Sequence, residues 1–448
     1  MTLPISAKFW DPEHRPSGTE TFLFIVHFDP DGLSTVRDNI AAWVDASALD
    51  YEILNMWDYG PAPLVLPTMV RLDDYAGVII HPTVCYFPHN LESLDAAITP
   101  DFARYSGIKV LAKQDEHNQS HAFARYITNK SFDILVTCVS EDQLSKVYPE
   151  PSLDGIQVVQ QLTSYVSEAI RNSPTLPYDA RTIDIGYRGS TQPLICGRLG
   201  FEKKQIGNAV EGPARAAGLI TDISSNWDDR IHGSGWGDFL ASCKSVLGVE
   251  SGSNLFDFDG EVSALCAAFT SRNPDLVPDT AAFYQLAQAE FLHRYEDNVD
   301  YGQLSPRHFE AAAAGTLQIL YDGRYSDILV AGRHYFSLKR DLSNLSEAIA
   351  LISDRQRWTE MTQTARREII DTDRFTYADF ARRFDYAIET ALENNPKTAN
   401  TTSSHPPPQQ AHKKQYAEYN STGNDKPSHI DESADNWWQR LVAWPNRH

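Results

Sequence analysis

The run Ser305-Pro306-Arg307-His308-Phe309-Glu310-Ala311-Ala312-Ala313-Ala314-Gly315-Thr316-Leu317-Gln318-Ile319-Leu320 sets a helix signal directly before a strand signal. Serine is a preferred N-cap, proline is tolerated at the first helical position and alanines favour helix, so a helix is expected at or just after Ser305. Gly315 ends it, and Thr316 to Tyr321 reads as a buried strand closed by Asp322-Gly323. The start of such a helix presents free N–H groups and a positive dipole end, which suit a phosphate. Glu310, on the second turn, cannot hold a phosphate, but its carboxylate can accept two hydrogen bonds from neighbouring hydroxyls such as those of a ribose. Ser305, Arg307, His308 and Glu310 are therefore candidate nucleotide-binding residues, set against the plain alternative of a capped helix packed beside a strand.

The same alternation extends in both directions along the chain. Upstream, Thr21 to Phe28 is a dense apolar run ending at Asp29-Pro30-Asp31-Gly32, and Ser34 opens an amphipathic helix through Val44. Tyr51 to Met56, Gly77 to Ile80, Ile108 to Ala112 and Asp133 to Val139 read as further strands, with helices near 90–99, 119–129 and 141–147. Gln157 to Arg171 is expected as a helix, broken by Asn172-Ser173-Pro174-Thr175-Leu176-Pro177. A second alternating set starts at Thr182 to Gly189 and continues with a helix around 200–216, a short strand near Leu219-Ile220 and a strand at Ser245 to Val249. Helices are expected at about 280–295, 306–314, 344–352, 355–370 and 376–393. Strands alternating with helices imply parallel sheets covered on both faces. The expected fold class is α/β, with two Rossmann-like doubly wound domains, residues 1–175 and 176–393.

From Asn394 the composition changes: Thr401 to Gln410 has few residues able to form a core, so 394–435 is expected as a disordered linker. It ends in a short amphipathic helix at 436–448, where Trp437, Leu441 and Trp444 share a face beside Trp438. Such a helix suits a membrane surface, a partner groove or self-docking onto the folded domains.

At 448 residues the chain is long enough for two cores, and a net charge of −21 argues against nucleic acid or anionic lipid as a partner held by charge alone. The five cysteines are odd in number and scattered, which supports neither a disulfide framework nor a zinc cluster. A reducing cytoplasm is the expected location, since no signal peptide and no membrane-spanning apolar run is visible; membrane association would come from the tail.

The Ser305 to Leu320 run resembles the donor-site signature of two-domain GT-B glycosyltransferases of the group 1 type. It is most similar to the spore-maturation glycosyltransferase-like proteins, whose segment reads aromatic-Glu-Ala-small-small-Gly. Gly186-Tyr187-Arg188-Gly189 together with Gly197 to Lys203 is also similar to that group. The likeness covers roughly residues 180–345 by motif and the first half by pattern. It implies metal-independent transfer of a sugar from a nucleotide-sugar donor to a glycan or lipid-linked acceptor in cell-envelope polysaccharide synthesis, with no cofactor. Glu310 would hold the ribose, and Arg188 and Lys203, with the helix start, would neutralise the leaving diphosphate. The family's second glutamate would stand eight residues before Glu310, where this chain has Gly302. A GT-B epimerase or phosphorylase, or a non-catalytic glycan-binding protein, shares these features.

Three further groups carry candidate chemistry. Glu250-Ser251-Gly252-Ser253-Asn254 follows a buried strand, and its small residues and N–H groups suit a phosphate or sugar; a tight turn is the plain alternative. Asp115, Glu116 and His117 crowd one strand end, where an inverting reaction needs a general base and a retaining one needs acceptor contacts; helix capping is the plain alternative. His81, after another strand, is a second candidate for that role. Asp257-Phe258-Asp259 spells a D-x-D metal motif, but two alternating domains argue against the fold that uses it, and no metal site is expected.

Overall fold

A computed structural model describes residues 5–394 of the protein, except 17–19, 33, 191 and 279. The expected linker at 394–435, beyond its first residue, and the tryptophan helix at 436–448 lie outside the described residues. The apolar, β-branched runs form two sheets. The first contains β1 (Lys8–Phe9), β2 (Thr21–Val26), β3 (Asp50–Asn55), β4 (Gly77–Ile80), β5 (Ile108–Ala112), β6 (Ile134–Thr137) and β7 (Gln157–Gln160). They pair in the order β1-β3-β2-β4-β5-β6-β7, all parallel. The second contains β8 (Ile183–Arg188), β9 (Thr221–Ser224), β10 (Cys243–Gly248), β13 (Leu317–Tyr321) and β14 (Phe336–Leu338), in the order β14-β13-β10-β8-β9, again all parallel. A short antiparallel pair, β11 (Ser251–Gly252) and β12 (Gly302–Gln303), lies between β10 and β13 in the sequence. Two doubly wound parallel sheets in series are the GT-B architecture.

Parallel strands need crossovers, and both faces are covered by them. The first core gathers Leu23, Ile25, Val78, Ile80, Leu111 and Leu135 with helix residues Phe123 and Ile127. The second gathers Ile185, Leu247, Ile319 and Leu338 with Ile206, Val210 and Trp358. Both sheets fall in one compact unit, Met1–Ala391. Two crossings join the halves. Phe256, Val299 and Tyr301, from between β10 and β13, are buried in the first core. The final helix, Tyr377–Asn394, returns to the first half, where Trp43 meets Phe380 at 4.7 Å and Phe384 at 5.1 Å, edge to face.

Several local expectations change. Gln157 to Arg171 is the edge strand β7 followed by a single helical turn, Glu168–Arg171: β-branched Val158 and Val159 pair with β6, and that pairing overrides the helical pattern. The strand expected at Leu219-Ile220 forms two residues later as β9. The helix near 90–99 shortens to the single turn His89–Glu92. Helices Ser234–Ser242 and Glu261–Arg272 form where no helix was expected. No helix among the described residues is long and apolar enough to cross a membrane, and all five cysteines are free and buried.

Candidate active site

In the second sheet β8 and β10 are neighbours while their continuations, β9 and β13, lie on opposite flanks, so the strand order reverses between them. Ligands of open α/β sheets sit outside the carboxyl ends of the strands at this reversal. The helices Ser234–Ser242, before β10, and Pro306–Ala313, before β13, both start at this edge. Ser305 caps the second of them, and its N–H donates to Nδ1 of His308 at 2.9 Å. Gly189, just past β8, has no room for a side chain: a Cβ there would lie 2.7 Å from the Lys203 carbonyl oxygen.

The side chains of Trp236, Phe239, Glu310, Arg307 and Lys203 gather at this edge. The indole N–H of Trp236 donates to Oε2 of Glu310 at 2.7 Å, and the indole stacks on Phe239 with 5.5 Å between centroids. Arg307 lies 5.7 Å from the Trp236 ring and donates to the Arg188 carbonyl at 2.6 Å. Burial raises the Glu310 carboxyl above the usual glutamate range, with Trp236 and Arg307 pulling the other way. Burial lowers the Lys203 ammonium below the usual lysine range; Arg307 acts in the same direction and Asp115 opposes it. Among the described residues, neither Lys203 nor Arg307 forms an ion pair with a carboxylate, so two cations are left for an anionic ligand.

Other expected donor contacts are spent inside the protein. The Arg188 guanidinium turns back to Asp222, at 2.9 Å, and to the Asp229 carbonyl, at 3.0 Å. Glu250 is buried and accepts the N–H groups of Arg324 and Tyr325 at 2.6 and 2.9 Å. Its carboxylate lies so close to Gly302 that a Cβ there would meet Oε1 at 1.9 Å. The glycine that departs from the family pattern is therefore required by Glu250. Ser253 Oγ donates to the Leu255 carbonyl at 2.8 Å, while Asn254 accepts the Leu199 N–H at 3.3 Å and donates to Asp297 at 3.2 Å. Ser251 and Gly252 are spent as β11, so the 250–254 stretch is a structural loop. His308 is buried against Tyr325 at 5.0 Å and its pKa is pushed down to about 3, by burial first and then by Arg307 and Lys203. It is a neutral cap, and sequence alone shows no difference between such a histidine and a ligand.

In the first half, the three charged residues after β5 separate. Glu116 is fully buried and accepts from the hydroxyls of Thr137, Tyr148 (2.6 Å) and Tyr301 (3.3 Å) and from the Cys138 N–H (3.0 Å). It is a core carboxylate and not an acceptor-side base. Asp115 is only partly buried, takes a left-handed backbone (φ 56°), and makes no hydrogen bond from its carboxylate among the described residues. Backbone strain of this kind persists where the surroundings enforce it and collects at functional sites. His117 keeps a buried Nδ1 without a partner. Burial, and then the Lys113 and Lys203 ammoniums, hold its imidazole below the usual histidine range against Asp115. His81 is not at the site: it is buried beside Phe24 and Trp43 and hydrogen-bonded to Thr83 at 2.9 Å and Asn39 at 3.3 Å.

The two halves converge here. The Asp257 N–H donates to the His117 carbonyl at 2.8 Å, and Gln119 N–H donates back to Asp257 at 2.5 Å. Lys203 of the second half lies within electrostatic reach of Asp115 and His117 of the first. The D-x-D string carries none of this chemistry. The Asp257 carboxylate accepts the N–H groups of Gly260, Val262 and Ser263 at 2.9–3.1 Å and so caps the Glu261–Arg272 helix. Asp259 pairs with His121 at 2.9 Å. Trp236 escaped the sequence reading because Gly233-Ser234-Gly235-Trp236-Gly237 has neither helical periodicity nor strong helix formers.

Residues 215–385 match a family described as glycosyl transferase-like. The structure is similar to that of TarM, a protein of S. aureus, at 12% identity and a TM-score of 0.42, over 70% of this chain and 55% of that one. The chain thus spans about half the length of TarM. It is similar to HepE of Anabaena, solved with UDP and glucose, at 11% identity and a TM-score of 0.43, over 83% of this chain and 100% of that one. A third similar structure is AviGT4, a glycosyltransferase involved in avilamycin A biosynthesis, at 12% identity and a TM-score of 0.39, over 83% and 98% of the two chains. No curated protein sequence matches the chain.

Proposed function

We propose that this chain, whose residues 215–385 match the glycosyl transferase-like family, transfers a sugar from a nucleoside-diphosphate sugar to a glycan or lipid-linked acceptor. One observation carries the reading: Lys203 and Arg307, two cations without a carboxylate partner among the described residues, stand with Glu310 at the reversal of the second sheet. Cations and helix N–H groups fixed in advance stabilise charge that develops on a leaving diphosphate. Lys203, Arg307 and the first turn of Pro306–Ala313 take the diphosphate, and Glu310 accepts the ribose hydroxyls. Asp115 and His117 face the acceptor across the cleft. Neutral at physiological pH, the His117 imidazole is able to accept a proton.

HepE was solved with UDP and glucose, so uridine nucleotides are the first donors to try. The experiment incubates the protein with UDP-sugars and candidate acceptors, follows nucleotide release, and measures UDP binding by calorimetry. Failure to bind any nucleoside diphosphate overturns the proposal. In the same reading Trp437, Trp438 and Trp444, outside the described residues, bring a cytoplasmic enzyme to a membrane surface or partner that carries the acceptor, as in cell-envelope polysaccharide synthesis. Flotation of the full chain and of 1–393 with liposomes tests this, and equal behaviour of the two counts against it.

A further inference from the structure

Aromatic rings follow the carboxyl ends of three adjacent strands of the first sheet: Trp10 after β1, His27 after β2, and Trp57 and Tyr59 after β3. Trp57 is 45% exposed and Tyr59 44%. Trp10 meets Tyr59 edge to face at 6.1 Å, and His27 lies 5.6 Å from Trp57. The backbone beneath these rings is fixed. Asn55, buried at the end of β3, donates to the Phe28 carbonyl at 2.9 Å and accepts the N–H groups of Phe28 at 3.1 Å and Trp57 at 3.3 Å. One side chain therefore ties the turn that carries Trp57 to the strand end that carries His27.

Carboxylates border the rings. Asp58 and Asp11 both act on the Tyr59 hydroxyl, and Asp29 and Asp31 follow His27, whose imidazole burial keeps below its usual pKa. Aromatic faces attract the weakly positive C–H groups of a pyranose ring, and carboxylates accept its hydroxyls. The same border repels phosphate, uronate and nucleic acid. The order β3-β2-β4-β5 puts this ledge on the same sheet edge as Asp115, about three strand spacings or roughly 14 Å away. One hexose does not span that distance, but a short chain does.

We propose that Trp57 and Tyr59, bordered by Asp11 and Asp58, form the acceptor subsite for an uncharged oligosaccharide whose reacting end lies at Asp115 and His117. This assignment rests on the transferase reading above and adds to it the class of acceptor. The test uses the full chain, with maltohexaose, cellohexaose and chitohexaose as uncharged probes, hexagalacturonate as an anionic one and tetramethylammonium as a cationic one. Calorimetry reports their binding, and UDP binding is measured on the same samples. The expected result is that one uncharged probe binds and that Trp57→Ala and Tyr59→Ala each weaken it about tenfold, that Trp57→Phe restores part of the loss, and that UDP affinity stays unchanged. No binding of any uncharged probe, equal binding by the alanine variants, or preference for hexagalacturonate or tetramethylammonium overturns the ledge. Oligosaccharide binding without any UDP binding leaves the ledge standing and removes the transferase reading instead.

Discussion

Trp236 and Glu310 sit on different helices, both starting at the edge where the second sheet reverses, and the indole N–H reaches the carboxylate at 2.7 Å. The bond engages Oε2, and Arg307 lies 5.7 Å from the same indole ring. Replacing Glu310 with alanine should therefore abolish transfer and weaken UDP-sugar binding by tenfold or more, since hydrogen bonds to a charged group contribute about 1.5–3 kcal/mol each. The melting temperature should hold, because Glu310 lies at the rim of the core. Calorimetry and a thermal scan of Glu310→Ala check both parts, and wild-type turnover would remove the ribose assignment.

Trp236→Phe keeps a ring on Phe239 and deletes only the donor to Glu310. A hydrogen bond to a charged acceptor is worth about 1.5–3 kcal/mol, so UDP-sugar affinity should fall about tenfold or more with little change in stability. An unchanged dissociation constant would show that Glu310 needs no such anchor.

The pH profile of nucleotide binding follows from two shifted groups. Burial raises the Glu310 pKa, so affinity should fall on acidification at a pH above the usual glutamate range, as the carboxylate takes up its proton. Burial lowers the Lys203 pKa, so affinity should also fall on the alkaline side at a pH below the usual lysine range, as the ammonium loses its charge. Glu310→Gln should erase the acid limb and Lys203→Arg should move the alkaline limb upward, both read from UDP dissociation constants across pH.

Asp115 and Glu116 should respond in opposite ways. Asp115→Asn should cut transfer at least a hundredfold with the melting temperature intact, because no hydrogen bond or ion pair among the described residues ends on its carboxylate. Glu116→Ala strands buried donors on Thr137, Tyr148, Tyr301 and Cys138, and should cost about 3 kcal/mol or more of stability. Burial raises the Glu116 pKa in the folded state. Its contribution is therefore fully present below the pKa of the unfolded chain and is lost as pH rises through the folded value. Urea unfolding of Glu116→Gln across pH should give a flatter stability curve than wild type.

Glu250→Ala should lower stability rather than nucleotide affinity. It leaves the Arg324 and Tyr325 N–H groups unpaired, at about 1–3 kcal/mol each. A melting temperature several degrees lower with an unchanged UDP dissociation constant is the expected pair of results, and the reverse pair would restore the loop as a donor contact.

The architecture was legible because dense apolar runs such as Phe22 to Val26 and Leu317 to Tyr321 have few alternatives to buried parallel strands. The edge strand β7 was not, since Gln157 to Gln160 is barely apolar and becomes a strand only by pairing with β6. Residue type and position beside a strand end made Arg307, Glu310, Asp115 and His117 candidates, and the family resemblance added Lys203. They did not distinguish the carboxylates and imidazoles whose polar atoms are all taken up inside the protein from the rest. Glu116, Glu250, His81 and His308 look equally reactive as letters, and only their partners, brought from far along the chain, show that they are spent. Trp236 and Trp57 were missed for the opposite reason: isolated aromatic residues in glycine- or proline-rich stretches give no periodic signal.

Phe256, Val299 and Tyr301 complete a core whose other members lie more than a hundred residues earlier, and Phe380 and Phe384 cover Trp43 from the end of the chain. Cutting between the halves would therefore not release two self-sufficient products. The amino-terminal fragment would emerge with an unfilled apolar hollow and a bare tryptophan, prone to aggregate, while the complementary fragment would carry the missing plugs. Mixing the two should recover soluble material that neither yields when expressed singly, a fragment-complementation behaviour written into the path of the chain.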